Sequence, residues 1–165
     1  MRLGVALGFG VLLGGCRTRA AAVPAPGLET SLSGKQPADS PETLSLEKLG
    51  AEFRLLRSAP GHFGDGGGPW NDAVDGSGGR KRALMDALRA RLSGASRTEV
   101  FATMGDPDEI AHPGAETWAV ALHGARISPE GSELLVYHWR GRHDFLYFVV
   151  RAGRVVHAGW WMAGE

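Results

Sequence analysis

The stretch Gly94–Pro107, G-A-S-R-T-E-V-F-A-T-M-G-D-P, narrows the fold more than any other part of the chain. Ser96 followed three residues later by Glu99 is a capping-box pattern and predicts a helix start. Gly105 and Pro107 stop that helix, because glycine accepts the left-handed position after a last turn and proline cannot continue one. Val100, Phe101 and Met104 form its apolar side. Helical sequence precedes the stretch and strand-like sequence follows it, so this short helix delivers the chain from one layer to the other.

The upstream pattern predicts two more helices. Ser45 is placed to cap a helix over Leu46–Arg57, with Leu46, Leu49, Phe53 and Leu56 on one face. Gly50 lies inside it at a cost of about 1 kcal/mol relative to alanine. The second helix, Arg80–Leu92, repeats Leu84, Leu88 and Leu92 at i, i+4 and i+8 and ends at Ser93-Gly94. Downstream, Glu133–Trp139, Asp144–Val150 and Val155–Met162 read as strands from their β-branched and aromatic content. Their short connections make them antiparallel neighbours. The turn Arg151–Arg154 is expected to hold Gly153 at positive φ within a G1 bulge. Thr117–Leu122 is expected to add an edge strand, and His123–Gly131 reads as a loop. The expected fold is therefore α+β, with two or three N-terminal helices packed on a three- or four-stranded antiparallel sheet.

The amino terminus addresses location. Met1–Gly15 reads as a signal peptide, with Arg2 as its positive end and Val5–Leu13 as its apolar stretch. That stretch is too short to span a bilayer, which needs roughly 20 apolar residues. The run Leu13-Gly14-Gly15-Cys16 resembles a bacterial lipobox, in which the chain is cut before the cysteine and the thiol carries lipid. Each buried methylene of such a lipid adds about 0.8 kcal/mol of membrane affinity, so several acyl chains anchor almost irreversibly. An ordinary secretory signal with an incidental cysteine is the alternative. Residue 17 is Arg, which leaves export to the outer membrane open under the resemblance to Gram-negative lipoproteins. From Cys16 to about residue 42 the chain is rich in Ala, Pro, Ser and Gly without apolar periodicity, and reads as a flexible linker. The folded domain is expected over residues 43–165.

Composition excludes some chemistry. Among 165 residues there is a single cysteine, so neither a disulfide framework nor a Cys-cluster metal site can form within the chain. The formal net charge of zero argues against nucleic-acid binding by bulk electrostatics. The closely spaced helices with Arg80, Lys81, Arg82, Arg89, Arg91 and Arg97 raise a helix-turn-helix, but an export signal argues against it. A solvated basic face, or one that meets anionic headgroups or an acidic partner, fits that signal better.

The loop His62–Gly79 is rich in glycine and carries Asp65, Asn71, Asp72 and Asp75. Carboxylates on tight glycine turns suit calcium, but the EF-hand spacing and its closing glutamate are missing. A turn-rich loop in which Asp and Asn bond their own backbone is the competing reading. His138, His143 and His157 on neighbouring strands are a second candidate metal set. Neither G-x-S-x-G nor a phosphate-cradling glycine loop is present, and no cofactor is implied. One sheet face is expected against the helices and the other partly exposed. Trp70, Tyr137, Trp139, Trp160 and Trp161 are the candidate partner-binding aromatics.

The order of parts, together with G-x-S-x-x-E-V-x-x-x-x-G-x-P at Gly94, Ser96, Glu99, Val100, Gly105 and Pro107 and then Tyr137-His138-Trp139, resembles the SmpA/OmlA (BamE-like) family of small outer-membrane lipoproteins. The resemblance covers about 80–162. It implies two helices on a three-stranded sheet, similar to the repeats of β-lactamase inhibitory protein. It further implies a non-enzymatic scaffold or protein-binding module, lipid-anchored and facing the periplasm. An inhibitor-like domain that captures a periplasmic enzyme or peptide is a second expectation, and a metal-dependent hydrolase using the aspartate loop a third. The glycine/aspartate loop and the insert near Pro113–Gly131 depart from the family pattern.

Overall fold

The computed structural model describes residues 39–63 and 67–164. The expected signal peptide, Cys16, most of the expected linker and Asp65 lie outside the described residues.

A 3-10 turn at Pro41–Thr43 leads into α1 (Leu46–Arg57), where the Ser45 side chain accepts from the Lys48 backbone N–H. The expected linker therefore ends earlier than residue 42. Pro41 is buried, and the Asp39 carbonyl accepts from Arg80 Nη1 at 2.6 Å. Next come a short α2 (Asp72–Asp75), α3 (Arg80–Arg91) and α4 (Arg97–Met104). The capping box at Ser96 and Glu99 is present in both directions, at 3.2 and 2.7 Å. Gly105 follows α4 with φ 82° and ψ −174°. The φ is positive as expected, but ψ is extended, not left-handed helical, so the chain leaves α4 straight into β1 (Glu109–Ala111).

A further helix, α5 (Glu116–Ala121), precedes β2 (Ser132–Arg140), β3 (Asp144–Arg151) and β4 (Arg154–Trp161). The four strands form one antiparallel sheet in the order β1-β2-β3-β4. Thr117–Leu122 is thus not an edge strand. T-W-A-V-A-L alternates as a strand would, yet Trp118 and Ala121 both bury, which is the three-residue spacing of one helix face. The edge position is filled by Glu109–Ala111, which pairs with Val136, Leu135 and Leu134. The β3–β4 turn also differs from the expected G1 bulge. Arg151 pairs with Arg154 directly, and Ala152 (φ 50°) and Gly153 (φ 74°) both take positive φ, as a type I′ turn requires. The extra residue sits further along, at Val156, between the pairs Val149–His157 and Val150–Val155.

Alternation along the strands builds two cores. Leu135, Tyr137 and Trp139 of β2 and Leu146, Phe148 and Val150 of β3 meet Leu49, Phe53, Leu84, Leu88, Val100 and Met104 of the helices. On the other face Leu134, Val136, Phe145, Tyr147 and Val149 pack with Ala111, Trp118 and Ala121. The insert at 113–131 therefore covers the sheet face that the resemblance alone would leave open. Gly50 has its reason in the first core: a Cβ there would lie 2.4 Å from the Thr103 carbonyl oxygen, so only glycine lets α1 cross α4 this closely.

Candidate functional site

A cleft of about 1440 Å³ opens where the end of α1, the start of α3, the β2–β3 hairpin and α5 converge. Its walls combine aromatic and aliphatic groups (Phe63, Val120, Phe145, Trp161) with many charged ones. Such a mixture, with titratable groups displaced from their usual behaviour, marks a site better than size alone.

The charges are arranged in pairs. Asp108, just after α4, takes Arg57 of α1 at 2.7 Å and the backbone N–H of His138 at 2.7 Å. His138 Nδ1 lies 3.9 Å from the same carboxylate. Burial lowers the imidazole pKa, with Asp108 opposing. Arg140 pairs with Asp144 at 2.8 Å and lies over the rings of Trp139 and Phe63, at 4.4 and 5.2 Å. Lys81 is the buried member of the set, at 6 % exposure. Its Nζ donates to the Trp139 carbonyl oxygen at 2.5 Å. Burial brings its pKa down to about 8, with Asp108 opposing, Arg57 reinforcing and Asp75 opposing.

The aspartate loop is held together by its own side chains. The Asp75 carboxylate is 1 % exposed and accepts the backbone N–H groups of His62 and Asn71, at 2.8 and 2.9 Å. Burial alone would raise its pKa, but these donors and the Phe63 N–H hold it below the usual carboxylate range. Asp72 accepts from Trp70 Nε1 at 2.6 Å, and Asn71 caps α2 through the Ala73 N–H. These are the backbone-bonding roles of a turn-rich loop. Among the described residues no group of three or more His, Cys, Asp or Glu side chains could hold a metal ion, so Asp72, Asp75, His138, His143 and His157 are not brought together as ligands.

The candidate aromatics separate. Tyr137 and Trp139, expected to share one face and offered as partner-binding residues, are 0 % and 2 % exposed beneath the helices. Alternation placed them correctly on one face, but that face is the one the helices cover. Trp160 is half-buried, donates from Nε1 to Asp86 at 2.8 Å and carries the Arg82 guanidinium 3.7 Å from its ring centroid. Trp161 packs at the margin of the second core and lines the cleft. Trp70 is 53 % exposed, with the Phe63 ring edge-on at 6.0 Å.

Sequence reasoning put Lys81 on a basic face read chiefly as solvated, whereas it is buried, and it missed Asp108 and Arg140. For Lys81 a signal existed: it stands three, four and seven residues before Leu84, Met85 and Leu88, on the apolar stripe of α3 and not on its solvated side. Asp108 and Arg140 gain their roles only through strand pairing and the β2–β3 hairpin. No family model, no curated protein and no solved structure matches this chain.

Proposed function

We propose that the chain is a non-enzymatic lipoprotein of the bacterial envelope, tethered through Cys16 to the outer membrane on its periplasmic side, whose domain works by binding a protein partner. The observation that carries this reading is Leu13-Gly14-Gly15-Cys16, with the chain's only cysteine directly after an apolar stretch that starts from Arg2. A linker without apolar periodicity then separates the thiol from a folded domain. The α+β fold and the capping box at Ser96 and Glu99 agree with the resemblance to SmpA/OmlA lipoproteins. The cleft supplies a recognition surface large enough for a segment of a partner, with Phe63 and Trp161 as apolar contacts. No helix among the described residues is long and apolar enough to cross a membrane.

Labelling cells with radioactive palmitate tests the anchor. Label on the wild-type chain and none on Cys16→Ala is the expected result; an unlabelled wild type rejects it. A second reading, an inhibitor-like domain for a soluble periplasmic enzyme or peptide, draws on the exposed Phe63 and Trp70. Capture from envelope extracts separates the two: barrel-assembly proteins favour the first, a soluble enzyme the second.

A further inference from the structure

We propose that Lys81 anchors a carboxylate-binding subsite in the cleft, where a carboxylate borne by the partner polypeptide accepts the ammonium hydrogens that have no acceptor among the described residues. The inference rests on the protein-binding reading above and names the chemistry of its contact.

An ammonium group has three hydrogens. Among the described residues, Lys81 Nζ has one acceptor, the Trp139 carbonyl oxygen, and no ion pair. The two arginines deepest in the same cleft each have a carboxylate, Asp108 for Arg57 and Asp144 for Arg140. Lys81 is nonetheless the most buried of the three, and it stands in the first turn of α3, where the helix dipole disfavours a cation. A buried charge without a counter-ion is costly, and a methionine would fill the same stripe of α3 without that cost. The fold thus keeps, on the wall of this cleft, a buried cation that has no ion pair among the described residues. The lowered pKa is the same cost seen as proton affinity, since an anion beside the amine would restore the charged form.

Charge matching selects a carboxylate over a phosphate. The cleft wall also holds Asp75, Asp108, Glu109, Glu116 and Asp144. One negative charge balances Lys81, whereas a dianion would bring a second charge to a wall where these five carboxylates already outnumber the four cations Arg57, Lys81, Arg140 and Arg142. Phe63, Val120 and Trp161 offer apolar surface to the residue that carries the carboxylate.

The chain has three lysines, Lys35, Lys48 and Lys81, so their side-chain amines can be followed separately by NMR in the full-length protein. The probes are acetate, inorganic phosphate and chloride at matched ionic strength. Acetate should shift the Lys81 signal saturably and raise that amine's pKa by about one unit. Phosphate should act more weakly and chloride not at all, and Lys35 and Lys48 should not respond. Acetate should also raise the melting temperature of the wild type but not of Lys81→Met. Equal responses to chloride and acetate, or a Lys48 signal that follows Lys81, would overturn the subsite. A stronger response to phosphate would overturn the carboxylate assignment in favour of a phosphate-bearing ligand. Palmitate labelling reports separately on the anchor: label without an acetate response rejects the subsite alone, and an acetate response without label rejects the anchor alone.

Discussion

The Tyr137 hydroxyl donates to the Gly105 carbonyl oxygen at 2.9 Å, so the centre of the sheet holds the end of α4. The start of α4 is held too, because Arg97 N–H bonds the Gly153 carbonyl at 2.8 Å and Val155 N–H bonds the Ala95 carbonyl at 2.9 Å. The capping-box helix is therefore clamped between β2 and the β3–β4 turn. Tyr137→Phe keeps the ring contacts with Phe53 and Phe148 and removes only the hydroxyl. It should lower stability by about 1 kcal/mol, rising toward about 3 if the carbonyl stays unsatisfied, as read from urea unfolding.

Gly50 gives a prediction whose sign opposes helix propensity. Alanine is favoured over glycine in a helix by about 1 kcal/mol. Here a methyl group would sit 2.4 Å from the Thr103 carbonyl oxygen, an acceptor that also takes Arg54 Nη1. Pushing α1 off α4 should cost more than propensity returns. Gly50→Ala should show a lower melting temperature, by an amount corresponding to about 1–3 kcal/mol.

Much of the helical layer could be read from the chain, because its signals are local. Ser45 and the spacing of Leu49 and Phe53 fix α1, and Ser96 with Glu99 fixes the start of α4. The failures share a cause: each needed knowledge of what lies across space. The alternation of β2 separates Leu134, Val136 and His138 from Leu135, Tyr137 and Trp139, but it does not say which set the helices choose. T-W-A-V-A-L is short enough to satisfy both strand and helix periods, and only the sheet face beneath Trp118 decides. Lys81 was hidden by its neighbours, since Arg80 and Arg82 made R-K-R read as a charged run. Its place on the stripe of Leu84 and Leu88 outweighs that run.

Trp118 tests the role of α5. It is 9 % exposed and packs over the second core with Val136 and Phe145. Trp118→Ala should cost about 3–5 kcal/mol if the insert is a fixed cover, since that is the range for truncating a buried tryptophan. The same variant should bind more of a hydrophobic dye in its native state, because the outer face of β2 and β3 becomes accessible. A loss below about 1 kcal/mol with unchanged dye binding would show that the insert does not seal the sheet.

The last prediction follows the protons on Lys81. Its amine is lowered from 10.5 to about 8 in the folded protein, chiefly by burial. Between those two values the unfolded chain holds a proton that the folded chain has released. Stability therefore rises with pH where the unfolded state binds more protons, so this group contributes a rise that begins near pH 8. Below that the cost of the buried charge is present in full, a few kcal/mol at most. The tyrosines act in the opposite sense. Burial raises the pKa values of Tyr137 and Tyr147 above 10.0, so above about that pH the unfolded chain loses phenolic protons first and stability falls. His138 is displaced downward from 6.5, again chiefly by burial, and adds a rise confined to pH below that value. The denaturation midpoint of the wild type should thus climb from about pH 8 toward pH 10 and then decline. Lys81→Met should remove the climb, leave the decline, and be more stable than the wild type at pH 7, where the ammonium is a buried charge with no ion pair among the described residues. A flat wild-type profile between pH 8 and 10 would mean that the amine is solvated as an ordinary surface lysine, and the cleft would then have no cost at that position for a ligand to relieve.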